Sequence, residues 1–291
     1  MRVPLIVAAS ALAVAALSGA LASSGSGPVP KPAPAASSAP IPSPTPISSD
    51  AVSHLSRMPA GYLPREGLPN SLLLNPSPPA AGSAAMARDE EGARAAVALR
   101  GTPRWEQAKI DADLFSPDTT AVFSCAAGVP ISAETTPKLN HLMRRMGPDL
   151  AMAVYPTKKK YMRPRPFMAN GEPTCTPQDE SVLRQDGSYP SGHSAIGWGW
   201  GLVLADVIPD RAAELVARGR AFGDSRRICN VHWLSDIEEG RVVSTAVVAR
   251  LNAEPAFRAD VEAARAEVAA LRGKAPAPDC SLENRALANS Q

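Results

Sequence analysis

The stretch from Ser191 to Val207 constrains the fold of this chain more than any other. Ile196, Trp198, Trp200, Leu202, Val203 and Leu204 fall on several faces of the helix it predicts, so no side is left for water. Such a helix has to sit at the centre of its domain, with other elements packed around it. Gly197, Gly199 and Gly201 do not form a nucleotide loop, because their spacing is not G-x-G-x-x-G and no strand precedes them. They read as places where neighbouring helices come close.

The surroundings read as helix after helix. Asp89 to Leu99 is alanine-rich, with acidic residues early and an arginine late, and Gly101 then stops it. Thr102-Pro103, Ser116-Pro117 and Thr136-Pro137 each look like an N-cap with proline in the first turn. The first predicts a helix to about Phe115. The third precedes Leu139, Leu142, Met143 and Met146 at three- and four-residue spacing, the mark of one buried face. Gly147-Pro148 is expected to break or kink that helix before Tyr155. Lys158 to Tyr189, with its prolines, glycines and polar residues, reads as an irregular segment of the kind that carries a site. Asp210 to Arg227, Ser235 to Asn252 and Pro255 to Leu271 predict further helices. No stretch alternates as a strand would. The expectation is an all-α fold, a single helical-bundle domain over residues 62–275 around a central apolar helix.

The two ends differ in composition. Arg2, the apolar run from Val3 to Leu17 and the small residues to Ala22 match a secretory signal peptide over residues 1–22, with cleavage after Ala22. The alternative, an uncleaved anchor, needs ~20 apolar residues and is weakened by the serines and glycine of this stretch. Residues 23–61 are rich in Pro, Ala and Ser and read as a disordered linker that can bury no core. Residues 276–291 read as a loose tail, pinned only if Cys280 is bonded. Export suits the even number of cysteines, Cys125, Cys175, Cys229 and Cys280. Two disulfides are expected, and Cys175 with Cys229 is the favoured pair because each lies beside a motif segment. No C-x-x-C spacing supports a zinc or thioredoxin-like reading. A net charge of +2 argues against a nucleic-acid binder driven by bulk charge, so any cationic function has to be local.

Local cations are what the motifs supply. Pro190-Ser191-Gly192-His193 opens the apolar helix, which puts Ser191 at the N-cap and the Gly192 amide among the unpaired first-turn donors, an anion-binding arrangement. His232 and Asp236 are four apart, so on one helical face the carboxylate can take one ring N–H and leave the other nitrogen unprotonated. Each piece alone has an ordinary structural explanation: a serine cap, a packed histidine, a solvated Lys-Lys-Lys run at Lys158. His54 and His141 read as bystanders, Ser225 as loop support, and Arg163 as a residue at the substrate entrance.

In order, Lys158 and, after six intervening residues, Arg165-Pro166, then Pro190-Ser191-Gly192-His193, then Ser225-Arg226, His232 and Asp236 resemble the three-part signature of the type 2 phosphatidic acid phosphatase superfamily. The Tyr161 to Phe167 and Gly187 to His193 contexts resemble most its bacterial class A non-specific acid phosphatases. The resemblance implies an all-helical secreted or periplasmic phosphomonoesterase acting on small phosphate esters, without metal or cofactor. It implies His232 as nucleophile, Asp236 as its orienting partner and His193 as general acid. Lys158, Arg165, Ser191, Gly192 and Arg226 are implied to hold phosphate oxygens. No stable membrane insertion after signal cleavage and no nucleic-acid partner are expected, and oligomeric state is not legible. Two alternatives stay open on the motifs: a vanadium haloperoxidase using the same cradle, and an envelope protein that holds phosphate without turnover.

Overall fold

A computed structural model describes residues 60–288. The proposed signal peptide, nearly all of the Pro-rich linker and residues 289–291 lie outside the described residues. The longer helices, labelled in chain order, are α1 (Ala84–Val97), α2 (Pro103–Ala112), α3 (Pro137–Ala153), α4 (Tyr155–Tyr161) and α5 (Gly192–Val207). They are followed by α6 (Ala212–Ile228), α7 (Leu234–Leu251), α8 (Pro255–Leu271) and α9 (Ser281–Leu287). Among the described residues there is no strand, and no helix is long and apolar enough to cross a membrane.

Local chemistry sets the ends. Ser83 accepts the Met86 N–H at 3.1 Å and starts α1 five residues before Asp89. Asp113 accepts the amides of Phe115 and Ser116 at 2.9 and 3.0 Å, and this side-chain turn stops α2 at Ala112 rather than Phe115. Ser116-Pro117 opens no helix of length; a 3₁₀ turn at Thr119–Phe123 and one turn at Ser124–Ala127 follow, closed by Gly128 at φ 71°. At the start of α3, Glu267 of α8 accepts the Lys138 and Leu139 amides, so the orphan donors are met by a neighbouring helix. The expected break at Gly147-Pro148 does not occur. Pro148 forfeits one ladder bond, and burial of Leu139, Leu142, Met143, Met146 and Leu150 carries α3 through to Ala153.

Helix α5 is central, packed against α6, α7 and α3. Its glycines are there for approach. A Cβ on Gly201 would lie 2.8 Å from the Leu215 carbonyl oxygen, and one on Gly219 of α6 would lie 2.6 Å from that of Gly197. Trp200, buried, donates its indole N–H to the Met143 carbonyl at 2.8 Å, which ties α5 to α3.

Two disulfides form. Cys175–Cys229 is the expected pair, and Cys125–Cys280 is the other. Residues 276–288 therefore return to the body: α9 packs on α2, and Glu283 reaches Arg218 at 2.8 Å. Composition suggested a loose tail; a disulfide and one partly buried ion pair hold residues 276–288 instead.

Candidate active site

Chain segments far apart in sequence line one cavity of about 420 Å³. Helix α4 brings Lys158, so this residue stands on a helix and not in the irregular segment expected there. Met162 adopts a left-handed φ of 41°, which ends α4 and turns the chain towards Arg163 and Arg165. Gly187 permits that turn, since a Cβ there would lie 2.8 Å from the Lys158 carbonyl oxygen. The start of α5 brings Gly192 and His193, the last turn of α6 brings Arg226, and the loop before α7 brings His232.

His232 and Asp236 do meet, but not as two residues on one helical face. His232 precedes α7, while Asp236 stands in its first turn and accepts the Trp233 N–H at 2.8 Å as well as facing His232 Nδ1 at 3.2 Å. A carboxylate cannot donate, so Nδ1 carries the hydrogen. The other nitrogen, Nε2, accepts from Arg165 Nη1 at 3.1 Å. The tautomer is fixed from both sides. Burial first, then Arg165, Lys158 and Arg226, hold the His232 pKa well below the ordinary histidine value, so the ring is neutral.

Behind the ring, Asp236 is fully buried and its Oδ1 accepts from Arg163 Nη1 at 2.6 Å. Arg163 spans to Asp89 of α1 at 2.7 Å, and Asp89 also takes the Ser235 amide and hydroxyl. Arg163 thus braces the carboxylate and does not shape an entrance. Burial raises the Asp236 pKa and Arg163 opposes that rise.

The three cations differ in what they already hold. Arg165 is saturated: Nε donates to the Leu183 and Asp186 carbonyls, Nη1 to Val231 and His232, and Nη2 to the Asp186 carboxylate at 3.1 Å. Lys158 Nζ meets the same carboxylate at 3.0 Å and donates to the Gly187 carbonyl. Arg226 is buried with Nε and Nη1 unpartnered. An unpaired buried guanidinium is costly unless something anionic joins it. Burial, then Arg165, lower the Arg226 pKa to about 9, which still leaves it charged at acid and neutral pH.

His193 donates Nε2–H to the Ala112 carbonyl at the end of α2, 2.9 Å away, and stacks on Phe222. Nδ1 is then unprotonated, and burial and Arg226 hold the ring neutral. In this state His193 is a base, and it can donate to a leaving group only after gaining a proton. Ser191 caps α5, accepting the Ser194 N–H at 3.2 Å; it is fully buried and does not line the cavity. Ser225 is likewise structural, between Asp111 and Arg104 at 2.6 and 2.9 Å.

Six of the eight residues singled out from the sequence therefore line the cavity: Lys158, Arg165, Gly192, His193, Arg226 and His232. Ser191 and Asp236 stand behind the wall. Sequence reasoning missed Asp186, Tyr155, Lys109 and Ala112 of α2, and Asp113, Leu114 and Phe115 just beyond it, all of which line it too. Nothing in spacing marked them; the Asp186-Gly187 pair beside the motif was the one local hint. Thr176, Gln178, Asp179, Val182 and Leu183, from the segment read as irregular and site-bearing, also belong to the wall.

An all-helical bundle whose buried cations and paired histidines share one cavity defines a protein built to handle phosphate-like oxyanions. A family model described as the PAP2 superfamily matches residues 150–255. The chain is 37% identical to an acid phosphatase of Zymomonas mobilis over 74% of its length and 83% of that protein. It is 39% identical to a non-specific acid phosphatase of Providencia stuartii, over 72% and 86%, and 41% identical to one of Salmonella typhi, over 71% and 83%. The chain belongs to the PAP2 superfamily, among its bacterial non-specific acid phosphatases.

Proposed function

We propose that this chain is a secreted, metal-independent acid phosphatase that hydrolyses small phosphate monoesters through a phosphohistidine on His232. Acid phosphatase activity is what family membership at this identity and coverage supports. The observation that carries the route is Arg226, with two buried unpartnered N–H groups, lining the same cavity as a tautomer-fixed His232 and a second histidine.

Arg226, Lys158 and the first-turn amide of Gly192 hold the non-bridging oxygens. An oxygen arriving beside Arg165 competes with His232 for its Nη1 hydrogen and frees the Nε2 lone pair. Nε2 attacks phosphorus, forming an N–P bond as the P–O bond to the leaving group breaks, and Asp236 stabilises the ring as it becomes cationic. His193 gives the leaving oxygen a proton, then takes one from the water that cleaves the N–P bond.

His193 has to be protonated before it can act as an acid, and Arg226 opposes this in the free protein. Bound phosphate offsets the Arg226 charge and lifts the His193 pKa towards the working range, so turnover favours acid. The cavity wall away from the cations is largely aliphatic, from Leu114, Val154, Val182 and Ile196, which suits leaving groups accepted by shape and hence a broad range. Export to the periplasm or medium fits two disulfides.

Acid-quench trapping with ³²P-labelled aryl phosphate tests the route. Label on His232, unchanged by chelator, is expected. Label on another residue, or none while turnover continues, rejects the phosphohistidine.

A further inference from the structure

Asp186 has no part in the chemistry above, yet it is the carboxylate inside the cationic cradle. Its Oδ2 is shared by Lys158 and Arg165, its backbone carbonyl accepts from Arg165, and its side chain is partly open to the cavity. Oδ1 has no hydrogen-bond partner among the described residues. A fixed negative acceptor where an anion has to bind is a penalty unless the anion brings a hydrogen.

We propose that Asp186 is a specificity-determining residue that selects the singly protonated phosphate group, its Oδ1 accepting the P–O–H hydrogen while Oδ2 keeps Lys158 and Arg165 aimed. This rests on the reading that the cavity binds phosphate. A doubly charged phosphate ester has no hydrogen to offer and meets carboxylate with lone pair against lone pair.

The groups around Asp186 keep it a constant acceptor rather than a switch. Lys158 and Tyr155 of α4, Arg165, Arg226 of α6 and the two histidines share its cavity, and Asp179 lies further along the same wall. Burial pushes its carboxyl up, but Lys158 and Arg165 outweigh that and hold it below the usual carboxylate range. The pH dependence thus belongs to the substrate, whose second ionisation lies near pH ~6 for a phosphate ester. Preference for the monoanion is a second source of acid activity, independent of His193.

Calorimetric titration with an aryl phosphonate, whose dianion like that of an ester carries no hydrogen, and with sulfate tests this from pH 5 to 9. At pH 5 the phosphonate carries a hydrogen and sulfate does not, so the wild type is expected to bind the phosphonate at least ~10-fold tighter. Its phosphonate affinity should fall ~10-fold per pH unit once that last proton is lost. Asp186→Asn should flatten that slope and narrow the gap to sulfate, and Asp186→Ser should do the same if the first variant folds poorly. Equal phosphonate and sulfate affinity in the wild type overturns the proposal, as does an unchanged slope in both variants or a uniform loss at every pH. Arg226→Ala separates the two levels: it should lose the phosphonate at every pH, and if it does not, the phosphate-site reading itself fails. Loss with Arg226→Ala beside an unchanged Asp186→Asn slope rejects only the role of Asp186.

Discussion

Arg218 and Arg226 stand on the same helix, both almost wholly buried, and only one of them faces the cavity. Arg218 is met by Asp111 through both Nη atoms and by Glu283 through Nε at 2.8 Å. Burial opposes its charge, but those two carboxylates outweigh the burial and raise its pKa. Arg226 has no such carboxylate in contact; Asp111 and Asp179 act on it only from a distance, and burial lowers its pKa to about 9. The same side chain in the same helix is scaffold where counter-ions come with the fold, and in the proposed function it is a binding group where they have to come from outside.

Arg218→Ala is the sharpest way to break that contrast. It leaves Asp111 buried without its main cation and should cost about 3–5 kcal/mol of stability, read by urea unfolding. Retained stability would mean that the buried pair is not what fixes α6 and α9. Arg226→Ala should do the reverse. Activity towards an aryl phosphate should fall by ~10²–10³-fold while the unfolding midpoint holds or rises, because an unpaired buried charge has been removed. A large loss of stability with normal kcat/KM would place Arg226 with Arg218.

A more gradual effect comes from the two neutral histidines. Their folded pKa values lie below the unfolded value of 6.5, so the unfolded chain binds protons that the folded chain does not. Stability is therefore full above about pH 6.5 and falls as pH drops towards the folded values, by up to ~1.4 kcal/mol per unit for each histidine. Urea unfolding at pH 6.5 and 5 checks this. His193→Gln should be less pH-sensitive than the wild type, and saturating inorganic phosphate should reduce the dependence in the wild type.

Much of the fold was legible because helices announce themselves locally. The Thr136-Pro137 start, the apolar spacing of α3 and the limits of α8 at Pro255 and Leu271 need only neighbours in sequence. Errors arose where a distant group intervened. Glu267 caps α3, packing carries α3 past Pro148, and the Cys125–Cys280 disulfide with the Glu283–Arg218 pair holds α9. The candidate site divides in the same way. Motif spacing supplied the histidines and the cations, whereas Arg163 looked like an entrance residue because its partners, Asp89 and Asp236, come from elsewhere in the chain.

By itself the sequence determined that the helix from Ser191 to Val207 is central, because a helix apolar on every face has no other stable place. It determined the donors too, since residue type fixes which groups can attack, donate or carry charge. Tertiary structure decided which of the buried charges are free. A charge is satisfied or not by what lies within hydrogen-bond reach, and for Arg218, Arg226, Arg163 and Asp186 that is set by segments far away along the chain.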